Sequence, residues 1–223
     1  MLEDGFNKEK LSCIYNSLDY DKQLEIRKQN KKTSIYKDKF KNNNPVLFYI
    51  GRIQKNKRLD LLIQAMCILN ERSLNCNLVI IGEEAEKTGI INLIEENGLN
   101  EQVWMYGACF DEIKIGELVY NADLCVSPGN VGLTAIHSLM YGTPVITHNN
   151  YCEQGPEFEA INNGVTGAFF DENDGNNLAD TIYFWLSSKA KQRDVVRSES
   201  YKIIDEKYNP HAQIKLLHSI IGS

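Results

Sequence analysis

"VLFYIGRIQKNKRLDLLIQAMCILNERSLNCNLVIIG" runs from Val46 to Gly82. It opens with a short β-rich run, VLFYI (46–50), that ends at Gly51. KRLDLLIQAMCILNE (57–71) follows with apolar residues at helical spacing, and NLVIIG (77–82) is a second apolar run ending in glycine. Runs this short and this continuously apolar have no polar face to show to water. They suit strands of a parallel sheet covered on both sides by helices.

The alternation continues down the chain. EKTGIINLIEENG (86–98) reads as a helix stopped by Gly98, QVWMYG (102–107) as a strand, and FDEIKIGELVYNA (110–122) as a helix. DLCVSP (123–128) is a strand, residues 132–141 a helix, PVITH (144–148) a strand and GAFF (167–170) a last short strand. GNNLADTIYFWLSS (175–188) and two further helices close the chain. The expected fold class is α/β, a Rossmann-like doubly wound parallel sheet of about six strands. Ligands of such sheets bind at the carboxyl ends of the strands. Gly51, Gly82, Gly107, Gly129 and Gly132 stand at those ends. No G-x-G-x-x-G follows the first strand, so the nicotinamide fingerprint is absent.

The 223 residues carry a net charge of -6, which gives no electrostatic reason to expect nucleic acid. Cys13, Cys67, Cys76, Cys109, Cys125 and Cys152 form no C-x-x-C pair and read as reduced, mostly buried thiols. No metal site is expected. No signal segment opens the chain and no apolar run approaches the roughly 20 residues that span a bilayer. A cytoplasmic location is the expectation. Residues 1–44 differ from the rest: from Lys22 to Lys41, Lys22, Arg27, Lys28, Lys31, Lys32, Lys37, Lys39 and Lys41 stand against only Glu25 and Asp38. They read as a solvated basic helical segment and linker before the domain at 45–223. The sharper reading is peripheral contact with an anionic membrane surface.

Two stretches carry candidate chemistry. In GRIQKNKRLD (51–60), Arg52 and Lys57 lie between a strand end and a helix start. A guanidinium fork and an ammonium point charge there suit a diphosphate. Residue type alone favours two surface cations in a basic loop. In PGNVGLTAIH (128–137), small residues offer backbone N–H groups to an anion or to sugar hydroxyls, and Thr134 adds a hydroxyl. The plain alternative is a tight turn that needs glycine. His137 sits in an apolar helical stretch, where a lone histidine is more often a satisfied core residue than a ligand. His148 ends a strand at the ligand-facing edge and reads equally as solvated. Glu157, near Glu159, complements a helix dipole. His211 and His218 carry no evident chemistry.

In this order the segments FYIGRIQKNKRLDLLIQA, NLVIIGEE, VWMYGACFDEIKIGELVYNADLCVSPG, VGLTAIHSLMYGTPVITHNN and GPEFEAINNGVTGAFFDENDGNNLADTI resemble the C-terminal, donor-binding half of a GT-B-fold retaining glycosyltransferase of family 4. The resemblance covers residues 46 to about 186, and EKLSCIYNSLDYDKQ (9–23) is similar to the segment joining the two halves. It implies transfer of a sugar, with retention, from a nucleotide-diphosphate sugar to a glycan or lipid-linked acceptor in cell-surface polysaccharide synthesis. It implies no cofactor beyond the sugar-nucleotide donor. Arg52 and Lys57 match the pair that holds the diphosphate and carries catalysis. Gly51 precedes them. Gly107, Ala108 and Cys109 match the strand end that meets the base. Asn130, Val131, Gly132, Leu133 and Thr134 match the sugar and phosphate loop. The family's Glu-x7-Glu motif falls on Gly129 and His137 here. His137 can take over a ribose hydroxyl, whereas Gly129 leaves the donor sugar without a carboxylate. The N-terminal acceptor-binding half has no room in 223 residues. The expectation is an excised domain that meets that half in cis or in trans and turns over little alone. The competing reading is a catalytically idle sugar-nucleotide-binding module or one subunit of a split enzyme.

Overall fold

The computed structural model describes residues 11–188 and 192–222. The elements are α1 (Tyr20–Gln29), α2 (Ile35–Phe40), β1 (Val46–Ile50), α3 (Leu59–Glu71), β2 (Asn77–Ile81), α4 (Ile90–Glu96), β3 (Val103–Gly107) and α5 (Glu112–Asn121). They continue with β4 (Leu124–Ser127), α6 (Thr134–Met140), β5 (Val145–His148), β6 (Gly167–Phe170), α7 (Gly175–Ser188), α8 (Arg193–Lys207) and α9 (Pro210–Ile221). The strands form one parallel six-stranded sheet in the order β3-β2-β1-β4-β5-β6. The direction of winding reverses between β1 and β4, and loops leaving those two strands flank the crevice.

The continuous apolar runs become strands because successive side chains enter opposite cores. Leu47, Tyr49, Leu78 and Ile80 join α3, α4 and α7 in one core. Val46, Phe48, Val79 and Ile81 join α5, α6 and Ile204 of α8 in the other. A polar residue at any of these positions would be stranded from water.

Three expectations change. The helix expected over 132–141 is shorter, Thr134–Met140, because Gly132 takes a left-handed φ of 50° and Gly142 one of 75°. The basic segment is not wholly solvated: its lysines stay exposed, but Gln23, Ile26 and Tyr36 are buried. α1 packs on α5 where Gly116 leaves room, since a Cβ there would meet Ile26 at 2.8 Å and Tyr141 at 3.1 Å. Arg27 completes the seam with a 2.9 Å ion pair to Asp205 and a cation–π contact to Tyr201. The cysteines are all free, but only Cys76 and Cys125 are buried. No helix among the described residues is long and apolar enough to cross a membrane.

Candidate functional site

The loops after β1 and β4 are pinned together at the carboxyl edge of the sheet. Gly51 carries the chain out of β1, and the Tyr49 hydroxyl donates to the Arg52 carbonyl at 2.8 Å. A 3-10 turn, Lys55–Lys57, then leads to Arg58, which enters α3 with a left-handed φ of 51°. The backbone N–H of Gly129 donates to the Lys57 carbonyl at 3.0 Å. A Cβ on Gly129 would overlap the Asn56 carbonyl oxygen and lie 2.7 Å from Lys57 Cα. Glycine is needed there for approach, not for dihedral freedom. The Thr134 hydroxyl adds a second pin, donating to the Ile50 carbonyl at 2.9 Å.

This clasp holds the side chain of Lys57. Lys57 Nζ donates to the Asn130 carbonyl at 2.8 Å and to Asn130 Oδ1 at 2.5 Å. Burial and, next, the charge of Arg52 hold the Lys57 amino group below its ordinary pKa. Arg52 itself is exposed. Among the described residues neither cation has a carboxylate partner, although Arg27, Arg58, Arg72, Lys28 and Lys114 all do. Two like charges drawn together without a counter-ion suit an incoming anion.

The rest of the loop is partly committed. The N–H of Val131 donates to Gln154 Oε1 at 2.8 Å, so that amide is already paired. Gly132 is half-buried and Leu133 exposed. Across the sheet, Gly107 leaves β3 at φ 86° and its carbonyl accepts from Gly82 at 2.9 Å. Ala108 is exposed and Cys109 half-buried beyond it. The sequence-read residues 51–57, 107–109 and 129–134 therefore share one edge.

His137 is where the sequence was least informative. Its Nε2 lies 2.8 Å from Glu112 Oε1, the same oxygen that accepts from Tyr141 Oη at 2.6 Å and Gln23 Nε2 at 2.9 Å. Burial would raise the Glu112 pKa, but the hydrogen bond and charge of His137, with Tyr141 and Gln23, outweigh it and hold it at about 2. An ionised carboxylate only accepts, so Nε2 donates and Nδ1 alone remains for a ligand. Sequence spacing placed only Leu133, Thr134, Met140 and Tyr141 beside His137. Glu112 and Gln23 come from other helices. His148 is 2% exposed rather than solvated, and Glu157 is buried, accepting from Asn16 at 3.0 Å.

A doubly wound sheet with Arg52 and Lys57 at the loops over its switch point has a place suited to a phosphorylated ligand. The family described as Glycosyl transferases group 1 matches residues 30–203, and the chain belongs to it. It is 25% identical over 223 residues to an uncharacterized 41.2 kDa protein in the cps region of Klebsiella pneumoniae, covering 96% of this chain and 57% of that protein. It is 30% identical over 159 residues to mannosylfructose-phosphate synthase of Agrobacterium fabrum, covering 66% and 34%. The solved structure of Anabaena HepE in complex with UDP superposes with a TM-score of 0.76 at 18% identity, over 99% of this chain and 60% of that one. The fold is that of the GT-B glycosyltransferases. The chain spans less than two thirds of the length of these relatives.

Gly129→Ala is expected to cost about 1–3 kcal/mol, the usual penalty for overpacking, read as a fall in the urea midpoint with unchanged slope. Glu112 is expected to shape the acid limb. Its folded pKa lies below the ordinary 4.5, so its contribution is complete above about 4.5 and is lost as pH falls toward about 2. Glu112→Gln should lower stability at pH 6 and leave a flatter decline between pH 5 and 3 in urea titrations.

Proposed function

We propose that this chain is the donor-binding half of a retaining, family-4-type glycosyltransferase acting in cell-surface polysaccharide synthesis. The observation that carries the reading is the unpaired Arg52–Lys57 couple, clasped against the 129–134 loop. A sugar nucleotide would lay its diphosphate on that couple and its base against Gly107, Ala108 and Cys109. The hard step in sugar transfer is the negative charge that builds on the departing diphosphate. Arg52 and Lys57 would oppose that charge, Lys57 from a half-buried position beside the 129–134 loop. Lys57 then exchanges Asn130 for a phosphate oxygen, which restores a counter-charge to a partly desolvated amine. His137 reaches the ribose through Nδ1, with Glu112 holding the ring.

The acceptor belongs to an N-terminal half, in cis or in trans, reached through residues 1–44. Exposed Phe110, Ile113 and Leu133 at the same edge support an apolar partner surface there. The cps-region relative supports the polysaccharide assignment, and the UDP complex of the Anabaena neighbour supports a nucleotide donor. The site belongs on the cytoplasmic side, where sugar nucleotides are made, with the exposed lysines of residues 22–41 toward an anionic bilayer. A donor-binding module without turnover is the second reading. The filled space at Gly129, where the family's first glutamate stands, favours it.

Calorimetric titration with uridine, guanosine, adenosine and thymidine diphosphates tests the reading. One should bind, and Arg52→Ala or Lys57→Ala should weaken it by about 1.5–3 kcal/mol, the range for a charge-assisted hydrogen bond. Unchanged affinity in both variants contradicts the assignment.

A further inference from the structure

A second cavity adjoins this cradle and is not used by the reading above. It holds about 260 Å3 and is lined by Arg58, Gly129, Asn130, His148, Glu153 and Glu172 among others. Drug-sized ligands take about 300–1,000 Å3, so this space suits one ring-sized group. It lies at the carboxyl ends of β4, β5 and β6. It shares Gly129 and Asn130 with the loop that engages Lys57.

The lining is built rather than incidental. The backbone N–H of Asn150 donates to His148 Nδ1 at 3.2 Å, which assigns the ring proton to Nε2. Nε2 has no hydrogen-bond partner among the described residues, in a side chain that is 2% exposed and lines the cavity. Burial lowers the His148 pKa, opposed by the charges of Glu172 and Glu153, so the ring is a neutral N–H donor at neutral pH. The Asn150 side chain donates to Glu172 Oε2 at 2.8 Å, so one residue orients both groups. Arg58 is neutralised by Asp60 at 2.9 Å and also donates to Asn173.

The charges narrow the occupant. Two carboxylates against one satisfied guanidinium disfavour an anion. Among the described residues no group of three or more His, Cys, Asp or Glu side chains could hold a metal ion. Carboxylate acceptors and the unpartnered His148 N–H donor in one small polar space match vicinal hydroxyls, which both donate and accept. We propose that this cavity receives hydroxyl groups of the sugar carried on the diphosphate. Glu172 and Glu153 accept from those hydroxyls, and His148 Nε2–H donates to one of them. The inference rests on the sugar-nucleotide reading of the adjoining cradle. It also accounts for Gly129: the acceptor that cannot stand on that residue is supplied from the ends of β5 and β6.

The test titrates the full chain by calorimetry with UDP-glucose, UDP-galactose, UDP-N-acetylglucosamine, GDP-mannose, ADP-glucose and dTDP-glucose, each beside its nucleoside diphosphate. Glu172→Gln and His148→Asn should each weaken the tightest-binding sugar nucleotide at least fivefold, while its nucleoside diphosphate changes less than twofold. Retained diphosphate binding also reports that the variants are folded. Equal changes for the two ligands, or no change for either, overturn the cavity assignment and leave the cradle standing. A wild-type chain that binds none of these compounds overturns both.

Discussion

The approach of the Lys55–Lys57 turn to Gly129 is the contact on which the edge of this sheet depends. It joins the two loops that leave the switch-point strands, β1 and β4. Without it Lys57 would be one more mobile surface cation beside a basic turn. With it, Lys57 is half-buried, shares Asn130 with the next loop and feels the charge of Arg52. An anion would relieve the energetic cost of gathering two cations there. The clasp also fills the space that a side chain at position 129 would need.

Most of the architecture was legible in the sequence because burial on both faces writes itself as unbroken apolar runs. VLFYI and NLVIIG could be little else, and their glycine ends marked the carboxyl edge of the sheet. The candidate site was legible in its parts but not in its couplings. Lys57 and Asn130 are 73 positions apart, and nothing local says that one holds the other. His137 looked isolated because its partners Glu112 and Gln23 belong to α5 and α1, and no helical periodicity links three helices. Polar residues at apolar positions concealed a network in which three donors satisfy a single carboxylate oxygen.

The docking of α1 escaped for a related reason. Eight cations against two acids dominate the composition of residues 22–41, while Gln23, Ile26 and Tyr36 do the packing. A few buried side chains outweigh many solvated ones in fixing a helix, since each solvated lysine is nearly neutral toward folding. The His148 cavity shows the same limit from the other side. A strand-end histidine has no visible environment until β6 and the turn after β5 close around it.

A structure of the chain with its tightest-binding nucleoside diphosphate tests the central claim most directly. The account expects phosphate oxygens about 2.7–2.9 Å from both the Arg52 guanidinium and Lys57 Nζ, with Lys57 released from Asn130 Oδ1. A diphosphate seated elsewhere, with Lys57 still held by Asn130, would contradict it.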